Sequence, residues 1–230
     1  MMKIDIQQVN AALESAHPEE ILLWAWNTFN GSVAASSSFQ TQSVPLLKMI
    51  SRVTPGMFVY FLDTGFHFEE TLQFKDQLAR DFKLNVRSVG NPLGGEGFVQ
   101  QYGPMFQNDP DSCCHLNKVE PMERARHKFC AWISGIRRDQ TLQRRETPVI
   151  TLLADGTYKI CPLVNWTRDN VRAYAQEFSL PEHPLKALGY TSIGCQPCTQ
   201  PVRAGEDERA GRWAGSAKTE CGLHWATRGV

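Results

Sequence analysis

Five of the seven cysteines in this chain stand where thiol chemistry is useful. Cys113 and Cys114 are adjacent, Cys195 and Cys198 form a Cys-x-x-Cys pair, and Cys221 sits in Glu220-Cys221-Gly222-Leu223-His224. Four thiols in two tight pairs are enough to hold a metal centre, and both zinc and iron–sulfur clusters accept four thiolates. Adjacent ligands suit a tetrahedral zinc ion badly, whereas they can bind two irons of a cubane. Lys118 is near enough to offset the charge of such a centre. Cys130 and Cys161 fall in strand-like runs and read as buried core. Cys221 is then left over, flanked by Glu220 and His224 with Lys218 close by. A cation beside a thiol favours the thiolate, which is the attacking form, so Cys221 reads as a nucleophile.

Composition narrows the setting. Lys and Arg total 24, matched by 24 Asp and Glu, which removes any bulk electrostatic case for a nucleic acid or a membrane surface. No apolar run approaches a membrane span, and Met1-Met2-Lys3-Ile4-Asp5 lacks the apolar core of a signal peptide. The expected compartment is the cytoplasm, where thiols stay reduced. An odd cysteine count also argues against a closed disulfide framework.

The elements that must position these thiols alternate between strand and helix. Apolar residues at helical spacing over 6–29 predict two helices broken near His17-Pro18. Strands are predicted at Gly31–Ala35, Met57–Leu62, Leu84–Val89 and Cys130–Ser134, with helices at Ser43–Ser51 and His67–Asp81. Asp155-Gly156 between Val149–Leu153 and Thr157–Ile160 signals a hairpin. Thr167 can cap a helix running to Phe178. Such alternation implies an α/β fold with a parallel sheet. Asn91–Asp111, rich in Gly, Pro, Asn and Gln, reads as a substrate-facing loop. From Gly205 onward the chain turns polar and Gly-rich, so the expected division is a body over 1–204 and a mobile tail over 205–230.

Three loops follow predicted strands. Ser36-Ser37-Ser38-Phe39-Gln40 could present backbone N–H groups to an anion, although it is not the Walker pattern and could be an ordinary Ser-rich turn. Asp63-Thr64-Gly65 places a carboxylate at a strand's carboxyl end, where open α/β sheets bind ligands. Arg137 and Arg138 could clamp a second charged group, unless they are simply a paired-Arg surface turn. Three such loops on one sheet edge favour a nucleotide phosphate or sulfate.

These residues carry a resemblance to the assimilatory sulfonucleotide reductases, which reduce adenylyl sulfate (APS) or its 3′-phosphorylated form (PAPS) to sulfite. The likeness runs from about Ser36 to His224. It is most specific at Cys113-Cys114-x-x-x-Lys118-Val119-Glu120-Pro121, Cys195-Gln196-Pro197-Cys198-Thr199 and Glu220-Cys221-Gly222-Leu223-His224. Leu62–Gly65, Ser134–Gln140 and Pro162–Trp166 fit as well. The resemblance implies an adenine-nucleotide α-hydrolase-like fold with a Rossmann-like parallel sheet. It implies one four-iron, four-sulfur cluster on Cys113, Cys114, Cys195 and Cys198, and thioredoxin or a glutaredoxin-like thiol protein as reductant.

In the implied reaction Cys221 attacks sulfur and forms an S-sulfonate. Lys118, Arg209, Arg212 and His224 match the family's positions that steady the phosphosulfate. Ser36, Ser37 and Ser38 would line the nucleotide pocket, with Asp63, Arg137 and Arg138 nearby. Asn117 stands where cluster-bearing members usually carry Arg, and the Ser-Ser-Ser-Phe-Gln loop is closer to that of cluster-free PAPS users. The cluster cysteines go with APS, so APS is the expected substrate and PAPS the alternative. A homo-oligomer is compatible with all of this.

Overall fold

Short apolar runs separated by amphipathic helices build one six-stranded sheet flanked by helices. The structure is a computed structural model that describes residues 4–203 and 205–223. Helices α1 (Ile6–Leu13) and α2 (Pro18–Thr28) lead into β1 (Val33–Ser37). Then come α3 (Val44–Val53), β2 (Phe58–Asp63), α4 (Glu69–Asp81) and β3 (Asn85–Gly90). Four helices follow: α5 (Gly94–Tyr102), α6 (Met105–Asn108), α7 (Pro110–Cys114) and α8 (Glu120–Arg126). Beyond them lie β4 (Ala131–Ser134), β5 (Ile150–Leu152), β6 (Tyr158–Ile160) and α9 (Arg168–Glu177).

The predicted boundaries have local causes. The break before α2 is a capping box in which His17 and Glu20 satisfy each other's backbone, with Pro18 in the first turn. Thr167 caps α9 through the N–H of Asn170, as the sequence predicts. The hairpin turns at Asp155-Gly156, where Gly156 has φ +83°. α4 starts two residues later than expected, at Glu69 after Phe68, which leaves His67 in the preceding loop.

Strand order is β3-β2-β1-β4-β6-β5, parallel throughout except for the β5–β6 hairpin. From β1 the chain builds β2 and β3 on one side, then returns to place β4 on the other. The carboxyl ends of β1 and β4 therefore form a topological switch point, where a doubly wound sheet opens a crevice for ligands. The main core packs α1, α2, α3, α4 and α9 against the sheet through residues such as Leu22, Leu47, Ile50, Phe61 and Ile133.

One expected loop is helical. Asn91–Asp111 contains α5, α6 and the start of α7, and it lies beside the thiols rather than the crevice. Glycines at 94, 95 and 97 hide the helix from a propensity reading, but Phe98 is fully buried against Phe66 and Tyr102, and burial overrides propensity. The glycines also permit a backbone crossing: a Cβ on Gly65 would lie 2.3 Å from the Gly95 nitrogen. Residues 205–223 lie against the body, with Arg212 bridging Thr199 and with Trp213, Glu220 and Leu223 buried. Among the described residues no helix is long and apolar enough to cross a membrane.

Candidate active site

A cavity of about 170 Å³ opens at the switch point. Ser36, Ser37 and Ser38 form one wall as they leave β1, and Ser134, Gly135 and Ile136 form another as they leave β4. The serine turn is held from beneath. Ser36 Oγ accepts from Trp132 Nε1 at 2.8 Å, and Ser37 Oγ accepts the Phe39 N–H at 3.0 Å. Phe39 has φ +53° and buries its ring edge-on to Phe61, which pulls the turn tight against the sheet. Gln40 Oε1 accepts the Ile193 N–H at 2.8 Å and fastens the segment that leads to Cys195.

The opposite wall is cationic. Lys118, Arg144, Arg209 and Arg212 line it together with Trp213, Glu220, Cys221 and Leu223. Leu223 packs with Met122, Trp132 and Leu153, and partly buried Cys221 joins the same cluster, so the tail carries its thiol into the cavity. Glu220 accepts from Arg144 Nη2 at 2.6 Å and from Thr141 Oγ1 at 3.1 Å, with Arg209 Nη2 at 3.8 Å. Arg209 also donates to the Thr219 carbonyl at 2.8 Å. Arg212 is seated by glycine: a Cβ on Gly194 would lie 2.4 Å from its guanidinium nitrogen.

Several buried polar atoms here have no partner among the described residues. They are Arg144 Nε, Arg212 Nε, Trp213 Nε1, His67 Nδ1 and Asn117 Oδ1. Three of the five are N–H donors lining the cavity. A buried donor without an acceptor is costly, so this set fits an anionic ligand rich in oxygen acceptors.

Beside this cavity lies a smaller one, and Lys118 and Cys195 line both. Cys113, Cys114, Cys195 and Cys198 all face the smaller cavity, with Thr64, Phe66, Phe106 and Asn117 around them. Cys113 and Cys114 end α7, and the next residues, His115–Val119, form a π-helical turn that swings Lys118 inward. Asn117 Nδ2 donates to the Cys113 carbonyl at 3.0 Å and lies 3.7 Å from its sulfur. Thr64 Oγ1 is 3.3 Å from Cys195 Sγ.

Burial and the charges of the other three thiols push Cys113 up to about 11. Burial, then Cys195, does the same to Cys198, also to about 11. Burial likewise raises Cys114. Burial would raise Cys195 too, but Lys118, the Thr64 hydroxyl and Arg212 outweigh it, and its pKa falls. Lys118 is desolvated, yet the thiolates of Cys195, Cys114 and Cys221 hold it protonated. Four thiols packed this way resist ionising together unless positive charge is placed among them. All four are soft sulfur donors, so the site fits a thiophilic metal centre. As placed, no three His, Cys, Asp or Glu side chains among the described residues form a group able to hold a single metal ion, so the fit is one of donor chemistry and not of assembled coordination geometry.

The residues singled out from sequence divide. Ser36, Ser37, Ser38, Lys118, Arg209, Arg212 and Cys221 converge on the cavity. Asp63 is exposed and accepts the Gly65 N–H at 3.0 Å, shaping its own turn outside the cavity lining. Arg137 is buried, paired with Asp139 at 2.9 Å and donating to Gln42 at 3.0 Å. Arg138 points away, to Glu14, Asn165 and the Thr147 carbonyl. His224 lies outside the described residues. Cys161 is buried and Cys130 half-buried, and neither lines either cavity. Sequence reasoning missed Arg144, Trp213 and His67. Arg144 is one of four arginines over 137–145, and only the fold selects the one that enters the site.

Comparison with known proteins agrees with this geometry. Residues 32–201 match the phosphoadenosine phosphosulfate reductase domain. The chain belongs to that family. An adenosine 5′-phosphosulfate reductase of Halalkalibacterium halodurans is 38% identical, over 97% of this chain and 98% of the relative. One from Chelativorans sp. is 42% identical, over 96% and 91%. A phosphoadenosine 5′-phosphosulfate reductase of Gloeobacter violaceus is 43% identical, over 92% and 90%. Among solved structures, the Candida auris PAPS reductase in complex with phosphate superposes with TM-score 0.76 at 29% identity, over 88% of this chain and 99% of that one. Candida glabrata FMN adenylyltransferase, 18% identical with TM-score 0.56, shares the fold alone.

Proposed function

We propose that this reductase-family chain converts APS to sulfite and AMP in sulfate assimilation and cysteine biosynthesis. The observation that carries the reading is the meeting of Cys221, four cations and the serine turn in one crevice at the switch point. The APS reductases named among its relatives match over nearly their full length.

The nucleotide lies across the β1 and β4 loops with its phosphosulfate toward Lys118, Arg144, Arg209 and Arg212. The Cys221 thiolate attacks the sulfonate sulfur. An S–S bond forms, the bond from sulfur to the bridging oxygen breaks, and AMP leaves with that electron pair. The cations stabilise the charge that moves onto the departing phosphate. A dithiol protein, thioredoxin or a glutaredoxin-like relative, then supplies two electrons. Its first thiolate attacks the Cys221 sulfur and expels sulfite, and its second resolves the mixed disulfide and restores the Cys221 thiol. His224, three residues after Cys221 in the sequence, is carried into the same role by the family motif alone. The segment that carries Cys221 docks for the first step and swings out for the second. This chemistry belongs in a reducing compartment such as the cytoplasm.

Cys113, Cys114, Cys195 and Cys198 would hold one four-iron, four-sulfur cluster. When bound it supplies a compact fixed charge beside Lys118, and its role is electrostatic rather than redox. Iron and acid-labile sulfide analysis of anaerobically purified protein tests this, with roughly four irons per chain expected. A colourless protein holding zinc would remove the cluster from the reading.

The direct test is sulfite release from APS with thioredoxin, thioredoxin reductase and NADPH. No sulfite from either nucleotide would overturn the reductase assignment. A second reading, PAPS reduction, is favoured by the serine turn and by the Gloeobacter relative. Comparing kcat/KM for APS and PAPS decides between them.

A further inference from the structure

We propose that Trp213 is a substrate-binding residue, its indole N–H donating a hydrogen bond to the phosphosulfate of the bound nucleotide. The assignment rests on the reductase reading and adds to it a residue outside the charged set. Trp213 is buried, it lines the crevice, and its Nε1 has no acceptor among the described residues. Buried indoles ordinarily find a partner. Trp132, the indole beneath the same crevice, has found one in Ser36.

The backbone at Trp213 is bent to put the ring there. Trp213 has φ +48°, a left-handed conformation that is unusual and strained for so bulky a residue. Strain of that kind persists only where the surroundings impose it. Here the imposing contacts are identifiable. The residue before it bridges Thr199, its own N–H donates to the Cys198 carbonyl at 3.0 Å, and its carbonyl accepts the Ser216 N–H at 2.9 Å. The chain thus turns sharply off the Cys195–Cys198 segment and carries the indole into the crevice.

Two cations attend the ring. The Arg212 guanidinium lies 4.4 Å from its centroid and the Lys218 ammonium 5.5 Å. Lys218 is itself ion-paired with Asp111 of α7. The ring therefore sits in positive potential and presents an N–H rather than an acceptor, which suits an anion. Among the oxygen acceptors of APS, only the phosphosulfate is anionic and drawn to this cationic wall. The ribose and base belong at the serine and Gly135 loops. Trp213 also ties the segment bearing Cys195 and Cys198 to the substrate anion through one residue, because its amide and its indole face the two sides.

The test uses Trp213→Phe, which keeps a ring for Arg212 and Lys218 but removes the donor. Binding of APS and of adenosine to the anaerobically purified protein is measured by calorimetry. A hydrogen bond to a charged acceptor predicts APS binding weakened about tenfold to a hundredfold. Adenosine binding should change less than threefold. Trp213→His, which restores an N–H, should recover part of the loss. Equal weakening of both ligands, or no weakening of APS, would overturn the assignment. A second measurement needs no variant. In wild-type protein labelled with 15N-indole tryptophan, one indole resonance should move on adding APS and stay in place on adding adenosine. No such movement would also overturn it. Failure of the reductase reading looks different, since the wild-type protein would then release no sulfite from APS.

Discussion

Glu220 is the joint that holds Cys221 in the crevice, and removing its carboxylate should release the tail without unfolding the protein. Glu220 is buried between Arg144 and Arg209, with Thr141 donating to it. Glu220→Ala leaves two guanidiniums in a poorly solvated site with no counter-charge. Breaking a buried pair from one side costs about 3–5 kcal/mol. Among the described residues of 205–223, the other buried side-chain anchors are Trp213 and Leu223. Each contributes about 1.5–3 kcal/mol of burial at most. The loss is therefore comparable to the burial of those two side chains together. It should raise the opening equilibrium by about two to three and a half powers of ten, taking 1.4 kcal/mol per tenfold. The main core contains no residue beyond Leu180, so global melting should fall only by the small share that docking contributes. Hydrogen exchange read by mass spectrometry on a peptide covering residues 214–223 is the assay. Exchange in Glu220→Ala within threefold of wild type would refute the reasoning. Glu220→Gln keeps an acceptor for Thr141 and should fall between.

Other substitutions follow from particular contacts. Gly194→Ala places a methyl group where the Arg212 guanidinium now packs, 2.4 Å from its nearest nitrogen. It should lower kcat/KM for APS about tenfold to a hundredfold, as expected for losing a hydrogen bond to a charged group, while leaving the fold intact. An unchanged kcat/KM would show that Arg212 is not needed. Cys221→Ser should bind APS normally and release no sulfite; retained sulfite release would remove Cys221 as nucleophile. His183 is buried between α4 and the segment after α9, its Nε2 2.9 Å from Thr71 Oγ1 and its Nδ1 accepting the Leu185 N–H. Burial drives its pKa down to about 4. Below about pH 6.5 the unfolded chain takes up a proton that the folded chain refuses, so its contribution is lost as pH falls from about 6.5 to 4. Urea midpoints across that range should fall less steeply in His183→Gln, and identical slopes would contradict the account.

Much of this was legible because the signals are local. The Thr167 cap, the Asp155-Gly156 turn and the apolar run of β2 each depend on neighbours in sequence, and each appears where expected. The thiols were legible for a different reason. Few structural roles require adjacent cysteines or a Cys-x-x-Cys pair in a reducing compartment, so type and spacing carry information without the fold. Arginines carry little, since their function depends on direction. Arg137 and Arg138 sit at the expected strand end, but one is captured by Asp139 and the other by Glu14. Arg144 enters the crevice from a turn that has no periodic signature. α5 was hidden by its glycines because Phe98 stabilises it through tertiary contact. Trp213 gave no signal at all, because its position comes from a bridge between Thr199 and Arg212 and a left-handed φ.

The geometry also constrains the order of events. Cys221, Glu220, Arg209, Arg212 and Trp213 all belong to the segment after Gly205, so much of the cationic wall is built by the same segment that carries the Cys221 thiol. Docking the thiol and assembling the anion site are then a single step. A sulfonucleotide that binds this wall stabilises the docked state by its differential affinity, so APS tightens the tail before chemistry. On the proposed reading, once AMP leaves, only a sulfonate on Cys221 remains of the anion that favoured docking, and the segment is held by its own contacts, the buried Glu220, Trp213 and Leu223 and the Lys218–Asp111 pair among them. A reductant reaching the Cys221 sulfur needs that residual docking to be weak. The carboxylate beside the Cys221 thiol therefore has to be strong enough to seat the thiol and weak enough to release it, and a tail held down by a thioether bridge between residues 143 and 219, which a dithiol reductant cannot cleave, should form the S-sulfonate but release no sulfite from it. Gln143 and Thr219 already meet at 3.5 Å through their side chains. Quantitative S-sulfonate by mass spectrometry, with sulfite released on adding thioredoxin only in the uncrosslinked protein, is the expected outcome. Multiple turnover in the crosslinked state would show that the reductant attacks with the tail docked.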